Sequence, residues 1–109
     1  MKIYLIKYNQ PYNEQDSDVF EKDCFEIEDK FLPVRLNWGE VIGKCKVYSD
    51  KIGAYFEEIE YQEDKIKIDF KNDLKLGFAF LVDQEENEKN IRHIKKAKLM
   101  ELNINMAAN

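Results

Sequence analysis

Apolar and polar residues alternate with a period of two over most of this chain, the pattern of half-buried strands. In the clearest run, Ile66, Ile68 and Phe70 alternate with Lys65, Lys67, Asp69 and Lys71. Asn72-Asp73 breaks it, and alternation resumes with Leu74, Leu76, Phe78, Phe80 and Val82. This predicts a β-hairpin turning at 72–73, with Ile66, Ile68, Phe70, Leu76, Phe78 and Phe80 in the core. Upstream, Lys2 to Tyr8 is a short apolar run of strand composition followed by the turn-rich Asn9-Gln10-Pro11-Tyr12-Asn13. Val41 to Tyr48 and Ile52 to Glu60 flank Ser49-Asp50-Lys51, which reads as strand, turn, strand, with Gly53 just after the turn. Leu102, Ile104 and Met106 alternate with Asn103 and Asn105 as a last strand. The helical candidate is Gln84 to Ala97, where Ile91 and Ile94 make a thin apolar stripe.

The expected fold is therefore mainly β: one domain over residues 1–109, built as a small closed or partly open barrel of six to eight short strands. So many strands in a small chain must close on themselves or pair with another chain at their edges. The terminal strands, 2–8 and 102–106, are the expected edges. A hydrophobic fraction of 44% supplies one core and excludes an intrinsically disordered chain. The longest uncharged apolar run, Leu76 to Val82, is too short for a membrane helix. No secretory leader is visible after Lys2, so an intracellular or virion location is expected.

Charge is unevenly spread. The chain carries 17 Lys+Arg against 22 Asp+Glu, a formal net charge of −5, which argues against general electrostatic wrapping of nucleic acid. Glu14 to Asp29 is acidic, while Arg92, Lys95, Lys96 and Lys98 make 91–102 basic. Such segments read either as solvated loops of opposite sign or as complementary faces for a neighbouring copy. The tyrosines at 4, 8, 12, 48, 55 and 61 suit half-buried strands better than a base-stacking platform.

Candidate chemistry is sparse. Cys24 and Cys45 with a single histidine, His93, cannot complete a zinc site, so no metal or cofactor is expected. Two reduced, partly buried thiols are favoured over one disulfide. Glycines at 39, 43, 53 and 77 form no phosphate loop. Ser17 and Ser49 lack a positioned base, and His93 lies among Arg92, Lys95 and Lys96.

The order of several short motifs resembles the prohead maturation proteases of tailed phages, which are related in fold to the herpesvirus assemblins. The corresponding pieces are Asp18-Val19-Phe20, Phe31-Leu32-Pro33-Val34-Arg35-Leu36-Asn37-Trp38, Val41-Ile42-Gly43, Asp50-Lys51-Ile52-Gly53-Ala54-Tyr55, Leu76-Gly77-Phe78, and the segment from Leu99-Met100-Glu101-Leu102 to Asn109. The resemblance implies an assemblin-like barrel and a site at three positions. The family's histidine base falls at Trp38 (or Asn37, one register off). Its nucleophilic serine falls at Lys75, and the acid of its last strand is retained as Glu101. Tryptophan takes no proton and lysine is not the family's nucleophile, so the resemblance implies the scaffold without the protease.

The expected function is thus a structural or auxiliary protein of a tailed-phage or prophage particle, a pseudo-protease acting through contacts with other particle proteins or copies of itself. Nucleic acid, membrane and small-molecule partners are not expected. Leu102, Ile104, Met106 and Asn109, in the uncharged C-terminal tail, are the candidate partner contacts. The alternative is a small acidic intracellular binder, an immunity or anti-defence protein that covers a basic face with its 14–29 segment. A residual enzyme using Cys45 or Glu101 is the third reading.

Overall fold

The computed structural model describes residues 1–11, 18–27, 30–62 and 74–106. Nine strands follow in order: β1 Ile3–Lys7, β2 Asp18–Phe20, β3 Leu32–Leu36, β4 Val41–Cys45, β5 Tyr48–Ser49, β6 Gly53–Phe56, β7 Glu60–Tyr61, β8 Leu74–Glu88 and β9 Ile91–Met106. They form two sheets. The smaller has the order β1-β6-β5 and the larger β2-β9-β3-β4-β7, with β8 also paired to β9. One hydrophobic core draws Leu5, Ile6, Ala54 and Phe56 from the small sheet and Phe20, Val34, Ile42, Ile94, Leu102 and Ile104 from the large one. The β-rich expectation holds. The barrel does not: neither sheet's pairing returns to its first strand among the described residues.

Strand β9 organises the large sheet. Along its length it pairs antiparallel with β8. On its other edge, Asp18–Phe20 run parallel beside Arg92–Ile94, Phe25 bridges to Ala97, and Val34–Leu36 run beside Leu102–Ile104. The chain from β2 to β3 thus tiles one edge of β9 in sequence order. The terminal strand expected at an edge lies inside its sheet, bonded on both sides. β1, by contrast, does lie at the end of its sheet.

The expected helix over 84–97 is a strand pair, and its expected stripe divides between the two faces: Ile91 is 36% exposed and Ile94 0%, with no bulge between them. Three bulges lie further along the pair. The buried apolar side chains of β9 are Ile94, Ala97, Leu99, Leu102 and Ile104. Their spacing runs three, two, three, two, and steps of three imitate a helical stripe. The register absorbs each one: Met100 is the extra residue between the pairs Ala79–Glu101 and Phe80–Leu99, and Asp83 and Lys95 are extra around Gln84–Lys96. A bulge holds two residues against one, so both flanking apolar residues stay on the core face. The reversal itself is a two-residue turn, Lys89-Asn90, with φ of 51° and 66°. Both residues are left-handed, as a type I′ hairpin requires.

The hairpin expected at 72–73 has its first arm outside the described residues, as do Ile66, Ile68 and Phe70. Its second arm is β8, which pairs with β9. Leu76, Phe78 and Phe80 are partly buried against the core rather than forming its centre. That centre is Phe20, 1% exposed, whose ring meets Phe25, Phe78 and Phe80 at 5.3, 5.7 and 5.2 Å.

The opposite charges of the two sequence halves meet inside the molecule. Arg92 donates to both carboxylate oxygens of Asp18, at 3.0 and 2.6 Å. Glu21 faces His93 at 3.6 Å and Lys95 at 3.5 Å, and Lys95 also reaches Glu86 at 3.2 Å. Parallel pairing of β2 with β9 sets these acids beside bases within one chain. Both cysteines are buried and free.

The 49–51 turn forms as expected, and Asp50 holds it. Its Oδ1 accepts the amides of Ile52 at 2.8 Å and Gly53 at 3.0 Å, while Oδ2 accepts the Tyr4 hydroxyl at 2.5 Å and the Lys2 ammonium at 2.9 Å. Gly53 tolerates no side chain, because a Cβ there would collide with the carbonyl of Ile6 on β1. Across the same sheet Tyr4, Tyr55 and Tyr48 stand side by side in register, with ring centres 5.5 and 5.7 Å apart. The Tyr4 hydrogen bond, seconded by Lys2 and the two amides, holds the Asp50 carboxyl well below the usual carboxylate range. A free aspartate in the unfolded chain titrates near ~3.9, so this stabilisation is complete above that value and is lost as pH falls toward the lower folded one. Wild type should therefore melt above Asp50→Asn at pH values over about 5, with the difference shrinking toward about pH 2. Thermal denaturation across that range checks it, and a gap independent of pH would contradict the role assigned to Asp50.

Candidate functional site

The face of β8 and β9 turned away from the core carries the polar half of each alternation. Opposite the buried Leu102 and Ile104 stand Glu101, Asn103 and Asn105, and across from them Ala79, Gly77 and Lys75, pair by pair. Arg35 of β3 lies beside Asn103 on the other edge. The β3–β4 turn folds over this face. Asn37 and Trp38 have φ of 49° and 57°, and the Gly39 amide closes the turn onto the Leu36 carbonyl at 2.8 Å. Two left-handed residues in succession make another type I′ reversal, unusual here because tryptophan occupies the second position.

Hydrogen bonds to β9 hold that conformation. The Asn37 amide donates to the Ile104 carbonyl at 2.9 Å, and the Trp38 amide donates to Asn103 Oδ1 at 2.6 Å. Asn103, on this outer face beneath the turn, is 0% exposed, the buried polar side chain among the described residues, and its amide nitrogen donates in turn to Asn105 Oδ1 at 2.9 Å. The indole lies over Gly77, where a Cβ would stand 3.3 Å from Trp38 Cζ2. A Cβ at position 77 would oblige the ring to give by a few tenths of an ångström, so glycine lets the indole sit closest to the sheet. The ring stays 50% exposed. Beside it Arg35 Nε donates to Glu101 Oε2 at 2.9 Å, and Arg35 Nη1 to the Gly39 carbonyl at 2.8 Å.

Trp38, Lys75 and Glu101 therefore share one face without meeting: Lys75 pairs with Asn105, four residues along β9 from Glu101, about 13 Å at the rise of a strand. The arrangement positions groups without supplying acid–base chemistry. Indole does not titrate, the Glu101 carboxylate is committed to Arg35, and the one histidine, His93, lies ten residues from Asn103 along β9, about 30 Å at the rise of an extended strand. Cys45 does not substitute as nucleophile. Burial pushes its thiol, and that of Cys24, up to about 12, leaving roughly one thiolate in 10⁵ at neutral pH. Among the described residues no group of three or more His, Cys, Asp or Glu side chains converges as a metal site.

The candidate partner contacts fare differently. Leu102 and Ile104 are each 1% exposed and belong to the chain's own core, so they present nothing to a neighbour. The apolar face of β9 is covered from within by the core side chains packed on it, Leu5, Ile6 and Phe56 of the small sheet among them. The backbone of Met106 pairs with Leu74 at the end of the β8–β9 ladder, and Asn109 lies outside the described residues. Sequence reading passed over Asn103, Asn105 and Arg35 as site residues. The available signal was the two-residue spacing of Glu101, Asn103 and Asn105, which sets three polar side chains on one face of an otherwise apolar strand.

No family model, curated protein or solved structure matches the chain. The arrangement of the site is therefore argued from its geometry alone.

Asn103 carries the turn, and Trp38, the chain's single tryptophan, reports on it. Asn103→Ala leaves the Trp38 amide without its acceptor, and stability should fall by about 1–3 kcal/mol. The indole emission should shift red as the ring lifts from Gly77. Urea titration followed by fluorescence checks both, and an unmoved spectrum at unchanged stability would refute the anchoring.

Proposed function

We propose that this protein is a catalytically inactive, prohead-protease-like domain serving as a structural or auxiliary component of a tailed-phage or prophage particle, and that it acts through protein–protein contacts. The feature that supports this reading is that Trp38, Lys75 and Glu101 lie on one face of the β8–β9 pair, without touching one another. The resemblance assigns those three positions to base, nucleophile and acid. On this reading the open two-sheet arrangement is a version of the family's barrel that does not close. The site keeps its framework because the turn, the glycine and the buried asparagine still hold the fold, while its chemistry has gone.

The alternative, an acidic binder, draws less support. Asp18 and Glu21, within the acidic stretch, are engaged with Arg92, His93 and Lys95 of the same chain. Carboxylates held in internal pairs offer less to a basic partner.

Mass spectrometry of tailed particles purified from the organism that encodes the chain is the direct test, together with a peptidase assay on the pure protein. The polypeptide should be present in the particles. Neither wild type nor the Trp38→His/Lys75→Ser double variant should cleave capsid or scaffold protein, because restoring residue types does not restore contact within ~3 Å between base and nucleophile. Particles devoid of the chain would overturn the structural role. Cleavage by wild type that Glu101→Ala abolishes would overturn the inactivity.

A further inference from the structure

We draw no further inference here: the strongest candidate, the outer face of the β8–β9 pair where Trp38, Leu81 and Met100 stand exposed, carries nothing because nothing in the structure shows what covers it.

Discussion

Hydrogen bonding on both edges of β9 is the constraint from which the rest of this structure follows. One edge is taken by β8 over fourteen residue pairs; the other is shared by β2, the Phe25 bridge and β3. A strand bonded on both sides cannot slip, since moving by one residue would turn Ile94, Ala97, Leu99, Leu102 and Ile104 out of the core together. Parallel pairing with β2 and β3 also brings residues some seventy positions apart into contact, and so fixes which charges face each other. Arg92 meets Asp18, and Lys95 meets Glu21, because the ladder puts them side by side.

The site depends on the same strand. The turn between β3 and β4 adopts two left-handed residues because β9 receives both of their amides, one on the Ile104 carbonyl and one on the Asn103 side chain. Left-handed tryptophan is strained on its own and persists where its surroundings over-determine it. Here those surroundings are a fully buried asparagine and a glycine beneath the ring. This framework ties Glu101 to Arg35. It also holds a half-exposed indole rigidly at the surface, and an immobilised tryptophan is well suited to anchoring a partner.

Sequence periodicity revealed the strand-rich class, the β5–β6 turn at Asp50 and the alternation of Leu102 and Ile104, because each depends on a local period of two or on turn chemistry. It misread 84–97, where the two-residue turn at Lys89-Asn90 and a bulge at Lys95 interrupt that period. Bulges are answers to a partner strand, and nothing local to Lys95 announces one. The place of β9 within the sheet was equally hidden. A strand at the end of a chain looks like an edge until distant segments, β2 and β3, are seen to need it. For the same reason the paired acidic and basic stretches read as separate faces, and Leu102 and Ile104 as contacts for a neighbour. The asparagine that secures the Trp38 turn lay unnoticed between two apolar neighbours.

Native-state amide hydrogen exchange tests the central claim most directly. If β9 is the element on which the fold depends, the amides from Ile94 to Ile104 that bond to β8, β2 or β3 should exchange only through global unfolding and be the most protected in the molecule. The β1 and β5 amides, at the ends of a three-stranded sheet, should open at lower free energy. Rapid exchange along Leu99–Ile104, or stronger protection in the small sheet than in β9, would contradict the account.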